Sequence, residues 1–202
     1  MSIVVRRLGL VDCQATLEDM QRFTSARSAA TADEIWLLQH APVFTLGLNA
    51  DAGHVLDAGT IPVVKVDRGG QVTYHGPGQL VAYTLLDLQR RRLGVRALVT
   101  ALEQAVIATL AGYGITAACK PAAPGVYVAG AKVASLGLRV RRNCSYHGLA
   151  LNVAMDLAPF GRINPCGFPG LGVTDIARLG GPADPERVAD DLESELLRRF
   201  AG

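Results

Sequence analysis

Three separated segments carry the residues with chemical promise. Asn164-Pro165-Cys166-Gly167 sets a thiol between a proline and a glycine. Pro165 disfavours helical geometry at Asn164 and Gly167 accepts unusual dihedrals, so the spacing predicts a tight, irregular turn that projects the Cys166 side chain. A nucleophile there keeps its backbone N–H beside the oxyanion that acyl transfer creates. A lone loop cysteine is as readily inert, and a reactive one needs a partner to make thiolate. Lys132 in the strand-like Ala131 to Ser135 is the candidate partner. The chain has seventeen arginines and only three lysines (Lys65, Lys120, Lys132), and lysine, unlike arginine, can lose its proton when desolvated. The same pattern also describes a surface lysine on the polar side of a hairpin. His75 and His147 are rival bases, or hydrogen-bonded structural histidines.

The third segment, Arg68 to Gln79, has four glycines within ten residues. Such a stretch lets the backbone approach a phosphate or acyl carbonyl closely and turn N–H groups toward it. It lacks the G-K-[ST] of a P-loop, and a strand rather than a helix follows, so it is no dinucleotide fingerprint. A hairpin or bulge whose glycines serve its turns fits the same composition.

The elements around these segments are predicted as follows. Ser2–Leu10, Glu34–Gln39, Pro42–Leu48, Ile61–Val66 and Leu80–Leu88 read as strands, with a weakly patterned helix over Thr16–Ala29. Val95–Tyr113 is the clearest helix, with Val95, Leu98, Val99, Leu102, Val106 and Leu110 on one stripe. Gly125–Ala129, Lys132–Val140 and Tyr146–Val153 read as strands, the first two joined at Gly130. A last helix starts at Asp184-Pro185 and buries Val188, Leu192, Leu196 and Phe200. Helices do not alternate regularly with strands. The expected class is therefore α+β, a largely antiparallel sheet with helices on one face.

Composition excludes several classes. At 202 residues, 50% apolar and 19% charged, the chain can bury a substantial core and is neither disordered nor a disulfide-stapled miniprotein. No repeat or linker interrupts it, so one domain over 1–202 is expected. The longest charge-free runs, Ile35–Ala50 and Gln104–Cys119, are shorter than the ~20 residues a spanning helix needs, and Arg6 and Arg7 interrupt any signal-peptide core. A cytoplasmic location is expected. Cys13, Cys119, Cys144 and Cys166 form no CxxC, so neither zinc nor a disulfide framework is indicated. The net charge of +2 hides an asymmetry: Arg68 to Asn152 holds ten basic and two acidic residues, the flanks ten and sixteen. Such a stretch fits either an acidic partner or ordinary solvated arginines.

RGGQVTYHGPGQL (Arg68–Leu80), GAKVASLGLRV (Gly130–Val140), CSYHGLALNVAMDL (Cys144–Leu157) and RINPCG (Arg162–Gly167) resemble, in order, the signatures of the octanoyltransferases of lipoate biosynthesis. The likeness runs from His40 to about Asp175, and Ala41–Asp57 and the C-terminal helix are its least distinctive parts. It implies an α+β domain with a largely antiparallel or mixed sheet and flanking helices, similar to the catalytic domains of biotin and lipoate protein ligases. It implies transfer of an octanoyl group from acyl carrier protein to a lysine on lipoyl domains of 2-oxoacid dehydrogenases and the glycine cleavage H protein. No cofactor, metal, nucleic acid or membrane has a task in that reaction. The family's Cys and Lys dyad maps onto Cys166 and Lys132. Its acyl-binding segments map onto Arg68, Gly69, Gly70, Gln71, Val72, Thr73, Tyr74 and His75, onto Ser135, Leu136 and Gly137, and onto Gly148, Leu149 and Ala150. Both protein partners being acidic, Arg90, Arg91, Arg92, Arg96, Arg139, Arg141 and Arg142 are expected to include a docking face. An ATP-dependent ligase on the same fold, a thioesterase and a non-enzymatic carrier-binding module are the competing readings.

Overall fold

The computed structural model describes residues 3–121 and 123–200. In chain order its strands are β1 (Ile3–Val11), β2 (Asp33–His40), β3 (Val43–Leu46), β4 (Val63–Lys65), β5 (Val72–His75), β6 (Gln79–Leu85), β7 (Ala118–Lys120), β8 (Ala123–Val128), β9 (Ala131–Arg141) and β10 (Cys144–Asn152). The helices are α1 (Cys13–Ala26), α2 (Val95–Gly112) and α3 (Pro185–Phe200). Seven strands form the main sheet in the order β1-β2-β6-β10-β9-β8-β7, and a small sheet has the order β4-β3-β5. Within the main sheet β1 and β2 run parallel and the other neighbours antiparallel. The α+β expectation is met, with a mixed sheet. Ser2, the predicted start of the first strand, lies outside the described residues.

One expectation needs correcting: the helices are not confined to one face. Successive strand residues point to opposite sides, and β2 and β6 are apolar on both. Ile35, Leu37, Leu80 and Ala82 join the core under α2 and α3, while Trp36, Leu38, Val81 and Tyr83 pack with Leu17 and Met20 of α1. Both faces of these central strands are apolar and need cover, and α1 supplies it on the second side. This helix begins at Cys13 rather than Thr16 because Asp12 caps it, accepting a 2.8 Å bond from Ala15 N.

Val95–Gly112 is long and apolar enough, by length and composition alone, to cross a membrane. Burial of its Leu98, Leu102, Ala105, Val106 and Leu110 against the sheet accounts for that composition. Two strands went unpredicted. The three-residue β7 is too short to show a pattern, and β5 hides between the glycines of the Arg68–Gln79 segment. Its four residues are all buried.

Candidate active site

Lys132 lies at the start of β9 and is 3% exposed. Its backbone is held from both sides. β9 pairs with β8, and Lys132 N donates to Gly172 O at 2.8 Å while Lys132 O accepts from Thr174 N at 3.0 Å. The segment that continues from Cys166 thus returns to pair with the lysine. The ammonium end donates to Cys166 Sγ at 3.0 Å and Pro124 O at 3.1 Å, and lies 5.2 Å from the Tyr127 ring centre. No carboxylate bridges it among the described residues. A buried ammonium without a counter-ion is costly, and Cys166 Sγ is the ionisable group within hydrogen-bond reach of it. Gly125 makes room: at φ +140°, a Cβ there would sit 2.9 Å from Lys132 Cε and 2.7 Å from Ala134 O.

Cys166 occupies the turn predicted for it, in left-handed backbone geometry (φ 56°, ψ 19°). Two clefts meet at this residue. The inner one is lined by Arg68, Gly70, Gln71, Val72, Thr73, His75, Ser135, Leu136, Gly137, Gly148, Leu149 and Ala150, together with Cys13, Leu17, Met20, Thr45, Val66, Val81, Tyr83 and His147. The outer one is lined by Gly69, Gly70, Gln71, Val99, Ala123, Pro124, Lys132, Leu136, Gly137, Leu138, Cys166 and Phe168. The strand ladder explains how distant segments converge, because Ser135, Leu136 and Gly137 pair with Ala150, Leu149 and Gly148 across β9 and β10. Gly148 is required there, since a Cβ would lie 2.0 Å from Ala82 O. Tyr74 is the exception among the expected binding residues. Its ring packs with Phe44 and Phe160 in the small core and lines neither cleft.

Neither rival histidine hydrogen-bonds Cys166 among the described residues. Burial pushes His75 down to about 3, with the neighbouring His40 and Arg68 adding to it. Its Nδ1–H donates to Gln79 Oε1 at 2.7 Å and its Nε2 accepts from Thr45 at 3.3 Å. Gln79 then donates to Asn152 Oδ1 at 2.9 Å and Asn152 to Thr174 O at 2.9 Å. His75 is a neutral link between the glycine-rich segment and the chain that clamps Lys132. His147 is likewise lowered by burial, and its Nε2 lies 2.9 Å from Asp67 Oδ1. That carboxylate, despite its burial, is held at about 2 by His147, Tyr146 and Gln21.

The sequence matches the lipoyl protein ligase A/B catalytic domain family over residues 13–197. It is 60% identical to an octanoyltransferase of Stutzerimonas stutzeri over 97% of this chain and 90% of that one. With an octanoyltransferase of Ectopseudomonas mendocina it shares 61% identity, over 98% and 97%. The chain belongs to the lipoyl protein ligase A/B family. Solved folds agree: the lipoate protein ligase of an archaeal lipoylation system from Thermoplasma acidophilum superposes with a TM-score of 0.79 at 14% identity, covering 99% of this chain and 85% of that one. Biotin protein ligase from Aquifex aeolicus follows at 0.58 and 12%, covering 99% and 70%.

In this member of the family the loop least distinctive in sequence braces the Cys166 turn. Asp51 N donates to Gln71 Oε1 at 2.9 Å, and Asn164 N donates to His54 O at 2.8 Å. Leu56 N and Asp57 N both donate to Arg162 O, at 2.9 and 3.1 Å. One loop therefore ties the glycine-rich segment to the Cys166 turn. The sole sequence cue was its Asp51-Ala-Gly53 turn, where Gly53 N donates to Asp51 Oδ1 at 2.8 Å. The docking arginines also need a correction. Arg90 and Arg91, with Arg27, converge on Asp33, which is 1% exposed. Burial would raise that carboxyl, but bonds from Asp87 N, Arg91 and Arg90 hold it below its ordinary range. Two of the expected surface charges therefore balance a buried one. Arg92, Arg96, Arg141 and Arg142 remain exposed.

Proposed function

We propose that the protein moves an octanoyl group onto a lysine of a lipoyl domain through a thioester on Cys166. Its relatives are octanoyltransferases at 56–61% identity over nearly the whole chain, and octanoyl transfer in protein lipoylation is accordingly its activity. The observation that carries the mechanism is the 3.0 Å contact between Lys132 Nζ and Cys166 Sγ where the two clefts meet. Lys132 takes the Cys166 proton, and the thiolate attacks the carbonyl of an octanoyl thioester whose tail occupies the inner cleft. The N–H groups of Cys166 and Gly70, residues that line both clefts, are the donors this course assigns to the oxyanion. The carrier thiol leaves with the proton from Lys132. The acceptor amine then attacks the acyl-enzyme from the outer cleft, Lys132 takes its proton, and Cys166 departs as thiolate.

The donor is octanoyl-acyl carrier protein, an acidic partner that suits the exposed Arg92, Arg96, Arg141 and Arg142. The acyl group arrives activated, so this course gives ATP nothing to do. Alkylation of Cys166 separates it from the ligase chemistry of its structural relatives. Loss of transfer from the octanoyl thioester is expected. Turnover of free octanoate with ATP that survives alkylation would overturn the reading.

A further inference from the structure

Helix α1 presents Cys13, Leu17 and Met20 to the inner cleft. Their spacing, four and then three residues, stacks them on one helical face. None of the three lines the outer cleft, whereas Cys166, Gly70, Gln71, Leu136 and Gly137 line both and mark the mouth. The stripe lines the inner cleft alone and lies outside that shared mouth. It is a firm surface. Cys13, Leu17 and Met20 are 7%, 6% and 1% exposed, and the latter two pack with Trp36, Val81 and Tyr83. The helix is fastened along its length by the Asp12 cap, by Gln21 donating to Asp67 at 3.2 Å and, just beyond its end, by Arg27 donating to Leu85 O at 2.9 Å.

Four of the polar side chains lining the cleft are held in place, because each is already engaged. His147 pairs with Asp67, His75 with Gln79, Tyr83 with His40 at 2.7 Å, and Arg68 with Thr45 Oγ1 at 2.8 Å. Displacing any of them would leave a buried polar group unsatisfied. The face of α1 is an apolar surface of the same cleft, against which an acyl tail can end without that penalty.

We propose that the Cys13, Leu17 and Met20 stripe is the end wall of the acyl pocket and fixes the chain length the enzyme accepts. This rests on the reading of the inner cleft as the pocket for the Cys166-bound tail. Each methylene brought into contact with the wall favours the bound state by about four-fold. A shorter chain forfeits those contacts, and a longer one has to move a helix pinned at three places.

The test measures the rate of acyl-enzyme formation on Cys166, by intact mass, from pantetheine thioesters of hexanoate, octanoate, decanoate and dodecanoate. Met20→Ala and Leu17→Ala should raise the decanoyl-to-octanoyl ratio by about fifteen-fold, the contribution of two methylenes. Leu17→Phe should shift preference the other way, toward hexanoate. Ratios within one preparation do not depend on the fraction folded, so a destabilised variant still reports. Rates that change together for every chain length would overturn the wall assignment alone. Absence of any acyl-enzyme in the unaltered protein would overturn the Cys166 reading and the wall with it.

Discussion

Cys166 and Lys132 meet at 3.0 Å but are held by opposite kinds of backbone. Lys132 sits in a strand paired on both sides, by β8 and by the Gly172–Thr174 segment. Cys166 sits on a short turn at positive φ, steadied from outside by the Asp51 to Asp57 loop and the Gln71 side chain that holds it. The lysine's position is built from ladder bonds that break only with the sheet. The cysteine's is built from single side-chain and loop contacts, which open at lower free energy. On the proposed course, a rigid proton acceptor facing a thiol on an adjustable turn suits two half-reactions, in which two different partners reach the same sulfur.

Breaking the rigid half should have the largest effect. Lys132→Arg retains the charge but cannot accept a proton at neutral pH, so turnover should fall by about 10²–10⁴-fold; near-normal steady-state rates would remove the base role. Gly125→Ala places a methyl against Lys132 Cε and Ala134 O. It should lower turnover by up to about 10²-fold through displacement of the amine, with KM for the octanoyl donor little changed. Gln71→Ala removes the bond from Asp51 N and loosens only the adjustable half. A few-fold loss is expected, about 1 kcal/mol, and a drop as large as that of Gly125→Ala would show the turn to be no softer than the strand.

A separate effect is on stability, and it appears only in acid. His75 lies at about 3 against an ordinary 6.5. Below 6.5 the unfolded imidazole takes up a proton that the native one refuses until about 3. The unfolded state then binds more protons, so stability falls as pH drops through that window, by up to about 1.4 kcal/mol per pH unit. Urea midpoints across the window should show this slope, and His75→Gln should reduce it, leaving the part due to the likewise lowered His40 and His147.

Much of this arrangement was legible in the residues themselves. Asn164-Pro165-Cys166-Gly167 announced its turn because proline and glycine constrain the backbone locally, and α2 announced itself by its stripe. What remained hidden was decided by tertiary contact. Val72–His75 is a strand because β3 pairs with it, which its flanking glycines conceal. The helix cover on both faces follows from β2 and β6 being apolar throughout, visible in sequence but separable into faces only once the sheet order is known. Arg90 and Arg91 read as surface charge because Asp33, their partner, lies far away in the chain. The bracing role of Asp51 to Asp57 rests mostly on backbone groups, which leave no signature in side-chain identity.

The central claim, that one thiol carries the acyl group between two partners, is tested most directly by intact mass. The protein is incubated with octanoyl-acyl carrier protein and weighed, then weighed again after a lipoyl domain is added, with Cys166→Ala in parallel. An octanoyl increment on the enzyme that passes to the domain, and is absent throughout from the Cys166→Ala variant, is the predicted result. An increment on the domain produced by the Cys166→Ala variant would contradict the account.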